Sequence, residues 1–149
     1  MNKYSLDYYK KIQSILKKII KEEAKNISLA ANMIKQSYLK GGQLYVFGTG
    51  HSHMMSEESF HRAGGFAGAC PILDAHIDFS KGAEKATRLE RTPNVANKVL
   101  NKYKIRKKDI MMIFSNSGVN HVPVEAALYA KENNIKSISV LSFKYSKVA

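Results

Sequence analysis

The chain has 149 residues, a formal net charge of +12 at pH 7 and one cysteine. This length fits a single domain with one core, and the lone Cys70 excludes an internal disulfide framework. No run reaches the roughly 20 apolar residues that cross a bilayer, and no N-terminal stretch has the basic and apolar pattern of a leader, so we expect a cytoplasmic protein without a membrane partner.

The positive charge comes from lysine rather than arginine. Nucleic-acid recognition favours arginine, whose guanidinium group forms bidentate hydrogen bonds with phosphates and bases. Only four of the 24 basic residues are arginines, namely Arg62, Arg88, Arg91 and Arg106. The lysines are also spread along the chain. We therefore interpret the charge as a solvated, lysine-rich surface and predict no nucleic-acid partner.

The first predicted element is helical. Apolar residues recur at spacings of three and four residues from Ser5 to Leu39, and lysines and glutamates occupy the other face of the helix. Gly41-Gly42 ends the pattern. Asn26 and Ser28 leave open whether this is one helix or two. Because the apolar stripe contains Ile and Leu without Trp or Phe, we expect this N-terminal segment (1–40 of a single 1–149 domain) to pack on a sheet or on a partner subunit rather than on a membrane.

Short apolar runs predict strands, and helical patterns separate them. The predicted strands are Gln43–Phe47, Phe66–Leu73, Ile110–Phe114 and Ser137–Phe143, and the predicted helices are His53–Ala63, Val95–Tyr103 and Pro123–Asn134. The polar segment 76–93 is predicted to be a loop with a short helix. Alternation of strand and helix predicts an α/β fold, a three-layer α/β/α sandwich with a parallel, Rossmann-like sheet.

Two serine-bearing glycine turns follow predicted strands and precede predicted helices. The first turn is Gly48-Thr49-Gly50-His51-Ser52, and the second turn is Ser115-Asn116-Ser117-Gly118. A helix N-terminus offers unpaired N–H groups and a positive dipole end, and serine hydroxyls add further donors. Neither turn has the Walker or dinucleotide-binding spacing. Since both follow strands of a parallel sheet, they are expected at the same sheet edge, where together they predict a binding site for a phosphorylated small molecule.

The motifs resemble those of the SIS family, the phosphosugar-binding domains of sugar isomerases. The matching stretches read FGTGHSH at 47–53, SEESFHRAGG at 56–65 and SNSGVNHVPVEAALYAK at 115–131, and the similarity extends from about Tyr4 to Lys147. It is strongest with an uncharacterised subgroup of phosphosugar isomerase-like proteins. The resemblance implies that Ser52, Ser115, Ser117, Asn120 and Ser142 hold the sugar phosphate and that Asn116 orients it.

The catalytic candidates are Glu57, Glu58 and His121. In SIS isomerases a carboxylate or histidine moves a proton between adjacent sugar carbons, which is a general-base role. Glu58 precedes Arg62 by four residues, so a helix would pair them, and an exposed ion pair is an equally good interpretation. His121 follows the second turn directly. His53, Glu57 and His61 are spaced so that one helix face could present them to a metal, but uncoordinated surface histidines are the usual outcome of such spacing; no metal or cofactor is predicted.

Three functions remain open at this level. The first is an aldose–ketose sugar-phosphate isomerase or a related lyase, and the second is a non-catalytic phosphosugar sensor. The third is a structural remnant or a truncated product, which predicts poor solubility or an exposed sheet edge. Members of the subgroup continue well past the match to Tyr145-Ser146-Lys147, so the last strand of an SIS-type sheet is expected to be absent here. SIS domains commonly dimerise, so a homodimer or a higher homo-oligomer is expected.

Overall fold

The first element of the computed structural model, which describes residues 2–149, is a single long helix. Helix α1 spans Lys3–Leu39 and continues through Asn26 and Ser28. The Asn26 amide donates to a Glu23 carboxylate oxygen at 2.8 Å, and the Ser28 hydroxyl donates to the Ala24 carbonyl at 2.8 Å. These side chains therefore bond within the helix instead of capping a break.

The described part of the chain up to Lys35 forms a unit of its own. Most of its apolar side chains are exposed, as Ile12 and Ile19 illustrate with relative accessibilities of 38% and 42%. Charged residues interrupt every apolar stretch of α1. Across the described part of the chain, no helix combines the length and the apolar content needed to cross a bilayer.

The second unit, residues 36–149, contains a four-stranded parallel sheet. Its strands are β1 (Leu44–Gly48), β2 (Ala69–Pro71), β3 (Ile110–Phe114) and β4 (Lys136–Val140). Its helices are α2 (Met54–Glu58), α3 (Ala83–Glu90), α4 (Val95–Leu100), α5 (His121–Glu132) and α6 (Phe143–Ser146), and a short 3₁₀ turn, Gly50–His53, precedes α2. The strand order is β2-β1-β3-β4, and each neighbouring pair is parallel. This confirms the predicted α/β fold.

The main hydrophobic cluster lies against one face of the sheet. Phe47 and Ile113 are register partners in β1 and β3, and both are buried with Val99 of α4 and Ala126 of α5. Successive strand residues point to opposite faces, and Val46, on the other face, is only 2% exposed. The sheet is therefore covered on both sides at its centre, as the unbroken apolar run of β3 predicts.

A buried carboxylate ties the amino ends of β1 and β3 together. Asp109 accepts hydrogen bonds from the Gln43 N–H at 2.9 Å, from the Arg106 N–H at 2.8 Å and from the Arg106 guanidinium. Burial alone would raise the pKa of the Asp109 carboxyl, but these hydrogen bonds together lower it below the usual range. Asp109 is therefore an ionised anchor at the sheet edge opposite the serine turns.

Helix α2 is shorter than the predicted helix His53–Ala63. It ends at Glu58, and the Phe60 N–H bonds to the Glu57 carbonyl at 3.1 Å in a tighter turn. His61 then has φ 47°, which a right-handed helix does not allow. The prediction of helix from Ser59 to Ala63 is wrong.

The C-terminal residues also differ from the prediction. Strand β4 ends at Val140 rather than at Phe143, and α6 was not predicted. Ser142 explains both differences because its hydroxyl accepts from the Tyr145 N–H at 3.4 Å and caps the new helix. Strand β4 is an edge strand of the described sheet, and its last residue, Val140, is 45% exposed.

Candidate functional site

The two serine turns line one cavity at the carboxyl edge of the sheet. The first turn follows β1 and the second follows β3, its hydrogen-bonded neighbour. The cavity has a volume of about 530 Å³, and both Ser52 and Ser117 line it. Two polar turns that are far apart in sequence therefore face a shared space large enough for a small metabolite.

The first turn is shaped by close backbone packing. A Cβ on Gly48 would lie 2.3 Å from the Ser52 carbonyl oxygen, so only glycine fits there. Gly50 has φ +54° and donates its N–H to the Ile77 carbonyl at 2.8 Å. The buried His53 ring holds the Gly48 carbonyl through Nδ1 at 3.2 Å. These contacts fix the turn that carries Ser52 to the cavity wall.

The second turn leads into the N-terminus of α5. Its Ser115 hydroxyl accepts from the Gly118 N–H at 2.9 Å, and Gly118 has φ +69°. Asn120 is the N-cap residue of α5 and also lines the cavity. The N–H groups of a first helical turn have no partner within the helix, and they carry the positive end of the dipole. The second turn therefore opens an electropositive helix end beside the cavity.

Most of the predicted phosphate-binding residues come together in this cavity. The lining includes eight of them: Thr49, Gly50, His51, Ser52, Ser115, Asn116, Ser117 and Asn120. Three others lie outside the lining and have structural roles instead. Gly48 and Gly118 allow the two turns to form, and Ser142 caps α6.

The structure does not bring the three predicted catalytic residues into the cavity lining. Glu58 pairs with the Arg62 guanidinium, and the Glu58 side chain is 64% exposed. Glu57 lies 3.7 Å from the His53 ring nitrogen and is 60% exposed. His121 is exposed at the start of α5. Their catalytic roles stay predictions that the cavity of this chain does not support.

The alternative metal arrangement does not form a continuous helix face. His53 belongs to the 3₁₀ turn and is 2% exposed, while His61 lies three residues beyond the end of α2. The spacing of four and eight residues therefore does not place His53, Glu57 and His61 along one helix.

Helix α3 forms a wall of the cavity that the sequence interpretation missed. Ala83, Ala86, Thr87 and Glu90 line the cavity at spacings of three and four, so one face of α3 points at it. The Thr49 hydroxyl donates to a Glu90 carboxylate oxygen at 2.5 Å. The spacing of these four residues in the sequence is helical and could have indicated this wall. The segment 76–93 is polar, however, so too few apolar residues recur in it to locate a helix.

Aromatic rings and one cation complete the lining. The His51 ring packs edge-on against Phe79, with ring centroids 4.7 Å apart, and Tyr145 also faces the cavity. Arg91, the C-cap residue of α3, is a cationic member of the lining and forms no ion pair within residues 2–149. The cavity thus combines hydrogen-bond donors, a cation and a single side-chain carboxylate.

Solved structures with the same fold come from phosphoheptose isomerases. The protein GmhA of Neisseria gonorrhoeae superposes with a TM-score of 0.73 at 16% identity, covering 97% of this chain and 76% of that chain. A phosphoheptose isomerase of Francisella tularensis superposes with a TM-score of 0.68 at 19% identity, and the match covers 97% of this chain and 77% of that chain. At these identities the similarity establishes the fold.

Sequence relatives are UPF0309 proteins of bacteria. One from Geobacillus kaustophilus is 37% identical over 140 residues, which is 94% of this chain and 56% of the relative. One from Brucella anthropi is 44% identical over 123 residues, 83% of this chain and 51% of the relative. The chain spans about half the length of the curated relatives it matches. The SIS domain model matches residues 7–142, and the chain therefore belongs to the SIS domain family.

Proposed function

We propose that this chain binds a phosphorylated sugar in the cavity between its two serine turns. The observation that carries the proposal is that Ser52 of the first turn and Ser117 of the second line the same space. Arg91 adds a cation to that space. An anionic, hydroxyl-rich ligand matches a lining of hydroxyls, backbone N–H groups and one guanidinium.

The phosphate group is proposed to bind at the second turn. Ser117 and Asn120 lie beside the N-terminus of α5, whose dipole favours an anion. At the first turn the Thr49 hydroxyl is already engaged with Glu90, and a carboxylate repels a phosphate. The cavity therefore has an anion end at the second turn and a carbohydrate end near Glu90.

The proposed reaction is aldose–ketose isomerisation of the sugar phosphate. Membership of the SIS domain family and a fold shared with phosphoheptose isomerases support a sugar-phosphate ligand and an isomerase-like role. The second candidate is a non-catalytic phosphosugar sensor, which the same cavity also favours. Only the fate of the bound sugar separates these two functions.

We also propose that the chain works in the cytoplasm as a homodimer or a higher oligomer, without a nucleic-acid or membrane partner. The support for oligomerisation is the exposed apolar stripe of α1, which includes Ile12 and Ile19. The lysine-rich charge is spread along the sequence, which favours a solvated surface over a nucleic-acid footprint.

Thermal unfolding with added ligands tests the proposed binding. Pentose, hexose and heptose phosphates should raise the unfolding temperature, while the same free sugars should not, since a ligand at 100 times its Kd stabilises by about 2.7 kcal/mol. Ser117→Ala should weaken the shift. Ser137→Ala is the matched control because Ser137 is exposed on β4, outside the lining. Equal shifts with free and phosphorylated sugars would refute the proposal.

A further inference from the structure

We infer that Glu90 is the proton-transfer residue of this cavity, acting on the carbon next to the carbonyl group of an open-chain sugar phosphate. This inference rests on the proposed function, because it requires a sugar phosphate with its phosphate group at the second turn. It assigns the general base to the end of α3, in a segment outside the serine motifs.

The position of Glu90 fits this role. It is the last residue of α3 and lies on the helix face that lines the cavity with Ala83, Ala86 and Thr87. The small alanine side chains leave room for a ligand in front of the carboxylate. Glu90 is half-buried and belongs to the cavity lining, so it can contact a bound molecule.

One oxygen of Glu90 is held and the other is available. The Thr49 hydroxyl donates to Oε1 at 2.5 Å, and Thr49 is only 4% exposed. Within residues 2–149, Oε2 receives no hydrogen bond and Glu90 forms no salt bridge. A carboxylate with one anchored oxygen and one open oxygen has a fixed direction and a free site for a proton, which general-base catalysis needs.

The competing groups are less well placed. Glu90 is the single side-chain carboxylate among the lining residues of the described chain. Glu57 and Glu58 are more than half exposed outside the lining, and Glu58 forms an ion pair with Arg62. His51 does line the cavity and packs on Phe79, so it is the group that the experiment must separate from Glu90.

The proposed step conserves atoms and electrons. Glu90 Oε2 removes the proton from the second carbon of the aldose, and the electron pair of that C–H bond forms a carbon–carbon double bond while the carbonyl oxygen of the first carbon takes a proton from a water molecule. The resulting enediol then takes the proton from Glu90 at its first carbon, and the hydroxyl of the second carbon returns its proton to the hydroxide so formed and becomes the ketone. The proton lost by one oxygen balances the proton gained by the other, so no oxidant or reductant is consumed.

Deuterium exchange measures this step directly. The full chain is incubated in deuterated water with the pentose, hexose and heptose phosphates, and replacement of hydrogen at the two reacting carbons is followed by NMR. Affinity for the same compounds is measured separately by calorimetry. Glu90→Gln keeps an oxygen that accepts from Thr49, so it should fold and bind as the wild type does, while exchange should fall by about 100-fold or more.

Two further variants serve as comparisons. Glu84→Gln is the matched control because Glu84 lies in the first turn of the same helix and is exposed outside the cavity lining; it should exchange at the wild-type rate. His51→Ala should retain more exchange than Glu90→Gln.

Each outcome decides between the two proposals. A wild-type chain that binds a sugar phosphate and loses exchange only with Glu90→Gln supports the inference. Binding without wild-type exchange, or exchange that persists in Glu90→Gln, overturns the role of Glu90 and leaves phosphosugar binding intact. An absence of binding to every phosphate in the panel overturns the proposed function and this inference with it.

Discussion

The Thr49 hydroxyl and the Glu90 carboxylate form a 2.5 Å hydrogen bond although they are 41 positions apart in the sequence. Thr49 belongs to the turn after β1, and Glu90 is the last residue of α3. The bond therefore connects the first serine turn to α3, which forms another wall of the cavity. Because Thr49 gives its only hydroxyl proton to Glu90, its side chain positions Glu90 and has no donor left for a phosphate.

Replacing Thr49 should affect the reaction more than binding. Thr49→Val removes the donor at nearly constant volume, so the Glu90 carboxylate loses its fixed direction, and we expect deuterium exchange to fall by about tenfold. Affinity for a sugar phosphate should be retained, and the unfolding free energy should drop by about 1 kcal/mol.

Thr49→Ser separates this effect from a change in packing. Serine restores the hydroxyl without the methyl group, so exchange should recover while part of the stability loss remains. A Thr49→Val variant whose affinity and exchange fall by the same factor would contradict a positioning role for Thr49.

Gly48→Ala should disturb the first turn. The new Cβ would lie 2.3 Å from the Ser52 carbonyl oxygen and 3.0 Å from the His53 backbone nitrogen. These are backbone atoms, so the turn itself must shift, and we expect a loss of about 1–3 kcal/mol in unfolding free energy. Because Ser52 moves with the turn, binding of sugar phosphates should weaken as well, which calorimetry would measure.

A glycine away from the cavity provides the comparison for Gly48. Gly64 has φ +72° and open space around its Cβ position, so Gly64→Ala costs about 1 kcal/mol of backbone strain without touching the site. Its ligand affinity should equal that of the wild type. Unchanged affinity in Gly48→Ala would show that the turn does not hold the ligand.

The sequence predicted those features that depend on local pattern. Strand β3 occupies the predicted Ile110–Phe114 because an unbroken apolar run lies between Asp109 and Ser115. The two serine turns are recognisable in the sequence because glycine and serine follow the apolar runs directly. That both turns face one cavity followed from the parallel sheet, in which carboxyl ends of strands share an edge.

The remaining features depend on contacts between distant residues. Nothing near Thr49 in the sequence indicates that its hydroxyl bonds to Glu90. The helical spacing of Glu58 and Arg62 predicted their ion pair, but not that the helix ends at Glu58 and leaves the pair outside the cavity lining. Sequence spacing therefore located the proposed anion end of the cavity and missed the carboxylate at its other end.

Acid should destabilise the fold through Asp74. Its side chain is 9% exposed and accepts from Lys102 Nζ at 2.5 Å and from His76 Nδ1 at 2.6 Å. Burial alone would raise the pKa of Asp74, but the hydrogen bonds from Lys102 and His76 outweigh it and lower the pKa from 3.8 to about 2. The folded state thus binds fewer protons than the unfolded state between these two values.

The sign of the pH effect follows from that lowered pKa. The stabilisation by Asp74 is fully present above about pH 4 and is lost as the pH falls towards about 2. Urea unfolding at a series of pH values should show this decline in wild type, a smaller decline in Asp74→Asn and an intermediate one in Lys102→Gln. Identical slopes in wild type and Asp74→Asn would rule out Asp74 as a source of the acid sensitivity.

The apolar stripe of α1 should mediate self-association. Tyr9, Ile12, Leu16 and Ile19 share one helix face by their spacing, and all four are at least 38% exposed. A stripe of this kind loses contact with water when it packs against its copy in a second chain.

Light scattering coupled to size-exclusion chromatography should therefore give at least a dimer mass for the wild type and a monomer mass for the Ile12→Lys, Ile19→Lys double variant. Lys10→Gln with Lys17→Gln changes residues outside the apolar stripe at the same seven-residue spacing and should leave the oligomer intact. A wild-type monomer, or a double isoleucine variant that remains oligomeric, would show that α1 does not form the interface.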